Sequence, residues 1–541
     1  MAKRVAPIKI NSIWMLTREY DGLAGAGGVK DVCRQLAEAL VRTGRTVSVV
    51  MPFYGFMDPE IPGLSEGPSF AVAMDYVGRR RLERVTVRSL ERNGVRLFLL
   101  DSGRYRDKRS IYTYTAVDEA ADPFHRQGDP HYDYFAVNVL LQKAALALMV
   151  RLRQRPSVIH CHDGHTAVLP AMVRETEGLR HYFNQTGMVV TIHNAGRGYH
   201  QEVDDLPYAG AICGLPAEVV RDNLLDDRFD PFLVASRHAV LNTVSENYAL
   251  ELQESDDDLL TGWLGHRLLE RGIRLQGITN GINPADFDPT RPESLGLPAA
   301  FAPAEDDLAG KALCRRELCR LSEEIPLAGI MQSGRLDWHP GVPLFTLIGR
   351  LMVQKGVDIL VTALRRLLAE DREFQVVVLG TGAPDIEDDL IRLAEMPAYR
   401  GRVCLLRGYD QKLANLIYAA GDFFLIPSRY EPCGLTDYLA QLMGNLPIVH
   451  HVGGLVKVVD GVTGFAFREH SGQTLAAAMQ RAMSMYRQQP ETLGAMRQEA
   501  VRHIGAHYTW DRVVHRYLKL YQQAAAMAME DDGAEYPFTA V

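Results

Sequence analysis

The chain has 541 residues and a mass of 60.3 kDa, which is too long for one hydrophobic core, so two large domains are expected. Its 47% hydrophobic and 23% charged content is ordinary for a folded globular chain and excludes a disordered or collagen-like polymer. A formal net charge of −8, from 59 basic and 67 acidic side chains, argues against a nucleic-acid coat or a polybasic membrane binder. Any anionic ligand must then be held by a few local cations.

The cysteines Cys33, Cys161, Cys213, Cys314, Cys319, Cys404 and Cys433 are scattered without CxxC spacing, so neither a disulfide framework nor a structural zinc site is expected. The start, Met1-Ala2-Lys3-Arg4, precedes only a short apolar stretch interrupted by Lys9, Asn11 and Ser12. It reads as a first strand and not as a signal peptide. The most apolar window, Tyr134–Val150, carries Asn138, Gln142 and Lys143 and is expected to pack as a core helix and not to span a membrane. The cytoplasm is the expected compartment.

In chain order, Ile8–Leu16 is predicted as a strand, Gly27–Thr43 as a helix and Thr46–Met51 as a second, β-branched strand. That is a βαβ unit and implies a parallel sheet covered on both faces. Val95–Leu100, Val158–Cys161, Met188–Ile192 and Ala239–Val244 continue the series. Near Asn280 the composition changes: Pro284, Pro289, Pro292, Pro298 and Pro303 alternate with acids, the pattern of a surface linker. Strands then recur at Pro343–Ile348, Gln375–Leu379, Val403–Leu406, Phe423–Ile426 and Leu446–Val449, with a helix at Gly356–Leu368. The expectation is an α/β chain of two Rossmann-like, doubly wound domains. Residues 1–282 form the first, 283–338 a linker, 339–510 the second, and 511–541 a helix and tail returning to the first. The acidic last dozen residues are expected to fray. Open α/β sheets bind ligands at the carboxyl ends of their strands, so the two sheets are expected to face one interdomain cleft.

The unusual residues do fall after strands. Arg429-Tyr430-Glu431-Pro432-Cys433-Gly434-Leu435-Thr436-Asp437 follows Phe423–Ile426 and opens a helix. There Gly434 lets backbone approach a ligand, and N–H groups at Gly434, Leu435 and Thr436 would meet a phosphate. The competing reading is an ordinary capped turn. Gly349-Arg350-Leu351 and Gln354-Lys355-Gly356 follow another strand. Arg350 and Lys355 could neutralise a leaving diphosphate, or could simply be a basic surface turn. Gly380-Thr381-Gly382 is a turn that fits either a ligand or a tight connection. Tyr409 could stack on a base or be a plain surface ring. In the first half, His160-Cys161-His162-Asp163-Gly164-His165 suggests zinc at first sight, but alternate strand residues point to opposite faces and no matching ligand set follows, so no metal is expected. Thr191-Ile192-His193-Asn194 can bring His193 and Asp163 together. The Gly25-Ala26-Gly27-Gly28 turn is not GxGxxG, and Thr46–Met51 does not end in a ribose-binding acid, which speaks against a nicotinamide dehydrogenase.

Together these runs resemble, in order and over nearly the whole chain, the bacterial glycogen synthase and plant starch synthase family (glycosyltransferase family 5, GT-B fold). They are Ala26-Gly27-Gly28-Val29-Lys30-Asp31-Val32, His160-Cys161-His162-Asp163, Thr191-Ile192-His193-Asn194, Thr243-Val244-Ser245, Thr279-Asn280-Gly281-Ile282, the 349–356 segment, Pro427 to Thr436, and Val452-Gly453-Gly454-Leu455. The resemblance implies retaining transfer of glucose from a nucleotide sugar, ADP-glucose or else UDP-glucose, to the 4-OH of an α-1,4-glucan acceptor, without cofactor or metal. It implies that Arg350 and Lys355 bind the donor phosphates, that Glu431 lies by the glucose ring, and that His193 and Asp163 contact the sugar. Tyr409 would pack on the base, Gly27 and Gly28 would let backbone approach, and Gly380, Gly382, Cys433, Gly434, Leu435 and Thr436 would complete the donor site. No nucleic-acid or membrane partner is implied. Two departures stand out. The family usually carries a donor-contacting Lys two residues before the Gly-Gly pair, where this chain has Gly25; Lys30 or Arg18 are the substitutes at hand. Asp437 stands where the bacterial enzymes commonly have Gln. The alternatives are a relative that binds glucan or nucleotide sugar with weakened catalysis, for which Gly25 is the support, and a GT-B transferase with another acceptor.

Overall fold

The computed structural model describes residues 8–324, 329–370 and 373–533. The chain forms two compact units: one runs to Gly281 and resumes at Trp510, and the other is Ile282–Thr509.

The first unit is built on strands β1 (Ser12–Leu16), β2 (Thr46–Pro52), β3 (Ser65–Asp75), β4 (Arg80–Arg92), β5 (Val95–Asp101), β6 (Val158–His162) and β7 (Gly187–Ile192). A two-residue hairpin, β8 (Leu224–Leu225) with β9 (Arg228–Phe229), stands apart, and β10 (Val240–Thr243) and β11 (Gln276–Gly277) complete the set. The nine-stranded sheet has the order β11-β10-β7-β6-β1-β2-β5-β4-β3. From β11 to β5 all pairs are parallel. The central strands are buried almost throughout and mainly apolar, as strands covered on both faces are.

The antiparallel edge hairpin β3–β4, with Ser69 opposite Thr86 and Asp75 opposite Arg80, departs from the expected all-parallel alternation. One face is buried, with Phe70, Val72 and Met74 from β3 and Val85 and Val87 from β4; the other carries Ser69, Ala71 and Ala73 from β3 and Arg84, Thr86 and Arg88 from β4. Phe70–Met74 is an apolar run within β3, but β4 alternates with charged residues and carries no such run. The helix Tyr134–Arg151 has the length and composition to cross a membrane, but it packs in this unit's core, with 72% of that window buried.

The helix Trp510–Gly533 lies on this sheet. Gly187, the first residue of β7, has no room for a side chain: a Cβ there would stand 2.6 Å from the backbone nitrogen of Ala525. Trp510 is 1% exposed and donates from its indole N–H to Gln35 at 2.8 Å, and Tyr521 bonds the ring of His160 at 2.9 Å. Of the acidic end expected to fray, 534–541 lies outside the described residues.

The second unit carries β12 (Met331–Gly334), β13 (Leu344–Ile348), β14 (Gln375–Leu379), β15 (Val403–Arg407), β16 (Phe423–Ile426), β17 (Leu446–His450) and β18 (Phe465–Phe467) in the order β12-β15-β14-β13-β16-β17-β18. All pairs are parallel except β12 with β15. The stretch 283–338, expected as a linker, belongs to this unit. It contains the helix Ala309–Glu324 and the edge strand β12, and it buries Leu295, Leu297, Phe301 and Leu318 in the core. Its prolines open short helical turns, at Pro284, Pro292 and Pro303, where the missing N–H costs nothing.

Candidate active site

In the second unit the strand order reverses between β13 and β16, which are direct neighbours. Loops leaving adjacent strands at such a switch point diverge to opposite faces and open a crevice. The residues after β13 are Gly349–Gly356 and those after β16 are Pro427–Leu435. The two loops are tied together: the Arg429 N–H donates to the Gln354 carbonyl at 2.9 Å. Gly356, at φ +69°, has the Pro427 carbonyl 1.9 Å from where a Cβ would stand.

This brings Lys355 and Glu431 into contact. The Lys355 ammonium donates to Glu431 Oε2 at 2.7 Å, a charge-assisted length. The Ser428 hydroxyl donates to the same oxygen at 2.9 Å. Burial pushes the Glu431 carboxyl up, but Lys355, Ser428 and the charge of Lys457 outweigh it and hold it below its ordinary value. Glu431 is therefore an anion at neutral pH. Arg350 is on the same β13 loop, exposed, with its guanidinium 3.3 Å from Gln354 Oε1.

Gly380 and Gly382 answer to packing: Cβ atoms there would lie 1.8 Å from the Gly349 carbonyl and 1.9 Å from the Leu351 carbonyl. They let the turn after β14 lie against the Arg350 loop. Tyr409 follows β15, is 65% exposed, and donates to Gln411 Oε1 at 2.6 Å. Cys433 and Gly434 are buried, and Leu435 caps the helix Thr436–Leu442 without a side-chain hydrogen bond. That helix has only 7 residues, so the dipole invoked for a phosphate is weak and the loop itself matters more. Gly453 and Gly454 support the loop from beneath. Cβ atoms on them would meet the Glu431 and Cys433 carbonyls at 2.0 and 2.1 Å, and the Gly454 N–H donates to the Glu431 carbonyl at 2.9 Å.

Asp437 is fully buried and lies 3.0 Å from the Lys457 ammonium. Burial pushes its carboxyl up to about 6, against the pull of Lys457. Lys457 was not flagged by sequence reasoning: one lysine inside an apolar turn carries no pattern. Ser428 entered only as part of the Pro427 to Thr436 run, without a role.

In the first unit the switch point lies between β1 and β6, also neighbours. His193 and Asp163 meet there. Asp163 Oδ1 accepts the His193 backbone N–H at 2.7 Å, and His193 Nε2 is 2.9 Å from His162 Nδ1. Burial depresses His193 to about 3, so its imidazole is neutral. Asp163 thus orders the turn carrying His193, from a left-handed backbone at φ +59° that Asp and Asn tolerate. Burial raises its own carboxyl to about 7. A proton is then bound more tightly in the folded than in the unfolded chain, so the stability it confers at low pH is lost as pH rises from about 4 to 7. Asp163→Asn keeps the acceptor without the charge. Its unfolding temperature is expected to stay level across that window while the parent's declines; parallel curves would refute the assignment.

Both ring nitrogens of His160 are engaged, with Tyr521 at 2.9 Å and Thr191 at 2.7 Å. Among the described residues no group of three or more His, Cys, Asp or Glu could hold a metal ion. At the glycine turn, the N–H groups of Ala26 and Gly27 donate to Glu19 Oε2 at 2.7 and 3.0 Å, and Tyr112 donates to its other oxygen at 2.6 Å. Sequence reasoning missed Glu19. A Cβ on Gly27 would meet nothing within 4 Å, and Gly28 caps the helix Val29–Arg42. Lys30 explains Gly25: its Cδ lies 2.1 Å from where a Gly25 Cβ would be, and its ammonium pairs with Asp21 and Asp31 at 3.2 and 2.8 Å. Arg18 is committed to Tyr54 and Asn138 at 2.9 and 2.8 Å.

A family model described as the starch synthase catalytic domain matches residues 12–268, and one described as glycosyl transferases group 1 matches 342–485. The glycogen synthase of Anaeromyxobacter sp. (strain Fw109-5) is 34% identical over 513 residues, 92% of this chain and 96% of that protein. That of Lactococcus lactis is 31% identical over 92% of this chain and 96% of its own length. The catalytic domain of starch synthase IV from Arabidopsis thaliana, solved with ADP and acarbose, superposes with a TM-score of 0.78 at 24% identity, over 96% of this chain and 99% of that one. Sucrose-phosphate synthase from Thermosynechococcus elongatus gives 0.57 at 17%, over 96% and 100%. With both sheets in the GT-B arrangement of strands and near-complete coverage at 34% identity, the chain belongs to the glycogen synthase and starch synthase family and is a glycosyltransferase of glucan synthesis.

Proposed function

We propose that the protein transfers glucose from ADP-glucose to the non-reducing 4-OH of an α-1,4-glucan, retaining the anomeric configuration. The observation that carries this reading is the Lys355–Glu431 ion pair at 2.7 Å, at the switch point of the second unit. A carboxylate kept ionised can bind glucose hydroxyls and favour positive charge growing at the anomeric carbon. The adjacent ammonium, with Arg350 on the same loop, stabilises negative charge growing on the departing diphosphate. A diphosphate leaves without a general acid, so a single carboxylate suffices where a glycosidase needs two.

The second unit takes the donor: Tyr409 packs on the base, and the backbone of Cys433, Gly434, Leu435 and Thr436 borders the phosphates, with Gly380 and Gly382 shaping the adjoining turn. The first unit takes the glucan. There His193, held by Asp163, contacts the sugar, and the Gly27–Gly28 turn lets it approach. The relatives named glycogen synthases and the ADP-bound starch synthase support the choice of donor.

The test is incorporation of labelled glucose into glycogen, with ADP-glucose and UDP-glucose side by side. ADP-glucose is expected to be the better donor, and the incorporated label is expected to be released by enzymes specific for α-1,4 links. No incorporation from either donor would sink the reading.

A further inference from the structure

Lys457 ends the short helical turn Gly453–Lys457 and has a side chain only 4% exposed. Its ammonium donates to three carbonyl oxygens: Cys433 at 2.5 Å, Gly434 at 2.8 Å and Gly454 at 3.0 Å. It also stands 3.0 Å from Asp437 Oδ1 and 4.6 Å from the centre of the Tyr438 ring. All the donors of a lysine are thus spent inside the protein, on both sides of the junction between the Glu431 loop and the turn beneath it. Gly434, at φ +72°, bends the loop around this point; a Cβ there would stand 3.1 Å from Asp437 Oδ1.

Two consequences follow. Geometrically, Lys457 fixes the backbone at Cys433 and Gly434, two and three residues from Glu431. Electrostatically, it cancels Asp437, a fully buried carboxylate that would otherwise repel both Glu431 and any anion at this loop. A buried charge that loses its partner costs far more than a pair that is absent altogether.

We propose that Lys457 and Asp437 form one positioning unit, which holds the Glu431 loop in its working conformation and keeps it free of net negative charge for a nucleoside diphosphate sugar. The role rests on the donor reading given above. Neither residue touches the reacting atoms; both act through the loop.

The test is a two-residue cycle in the full-length protein, with KM for the donor and kcat measured separately, and folding checked by thermal unfolding. Lys457→Met is expected to raise the donor KM and lower kcat/KM at least about tenfold, the scale of one strong charged contact. Asp437→Asn keeps Lys457 and its three carbonyl bonds, so it remains interpretable if Lys457→Met folds poorly; it is expected to lower kcat/KM severalfold. The decisive result is a change of sign: Asp437→Asn should improve the Lys457→Met enzyme while impairing the parent. If the parent transfers glucose and the two substitutions simply add, or if Lys457→Met stays within twofold of the parent, the positioning unit is refuted and the donor reading stands. If the parent transfers from no nucleotide sugar, the donor reading falls and takes this role with it.

Discussion

Glu431→Ala is expected to lower glucosyl transfer at least about a hundredfold, the usual scale for removing a group that stabilises the transition state, with the unfolding temperature nearly unchanged. The carboxylate is held by Lys355 and Ser428, and those neighbours, with the charge of Lys457, keep it negative against burial. Lys355→Ala is expected to lose about as much, because it removes the cation beside the leaving diphosphate. The two variants should differ in their pH behaviour. Lys355 pulls the Glu431 carboxyl down, so in its absence the carboxyl rises, and the acid side of the residual activity profile should move to higher pH. Near-normal turnover in either variant, or an unmoved acid limb in Lys355→Ala, would overturn the assigned roles.

Gly187→Val is expected to give the largest loss of stability. The valine side chain would enter the backbone of the helix Trp510–Gly533, whose atoms at Ala524 and Ala525 already stand 2.6–2.9 Å from the Cβ position. A backbone cannot move aside as a flexible side chain can. Overpacking of this kind costs about 3 kcal/mol, which for a unit of this size corresponds to roughly 5 °C. The helix would lift from β7, and Trp510, Tyr517 and Tyr521, all buried now, would become exposed. Tryptophan fluorescence should therefore redden in the variant at temperatures where the parent is folded. A melting curve matching the parent's would show that the helix is not clamped at Gly187.

The parts of the fold that were legible in sequence are those with one environment along their whole length. β16, and β14 from Val376 to Leu379, are buried on both faces, so their side chains are apolar without interruption. β4 buries one face among charged residues and left no such trace. The 283–338 stretch misled because its prolines open helical turns, and at that position a proline strengthens structure instead of interrupting it.

The same contrast holds at the site. Glu431, Lys355 and Arg350 follow strands in runs specific enough to stand out. Glu19 and Lys457 act on backbone N–H and carbonyl groups, and a contact with backbone imposes no residue pattern on its partner. Asp437 was visible as an oddity, but its compensation sits twenty residues further on and becomes apparent only once the turn after β17 folds beneath the loop. Gly25 was visible in the same way, and Lys30, five residues on, fills its space. In each case a departure at one position meets a side chain elsewhere that spacing alone could not connect to it.

The chain enters the second unit at Ile282 and leaves it at Thr509, so that unit is one uninterrupted stretch. The first unit is not: the face of β7 around Gly187 is closed by residues beyond 510. On the ribosome, the part made last can therefore finish what was begun first. The inserted unit holds all its strands before the closing helix exists, while the earlier sheet waits with an apolar face uncovered, the kind of surface that invites wrong association during synthesis. Truncation from the carboxyl end would then damage the amino-terminal unit, at a distance of more than two hundred residues along the chain.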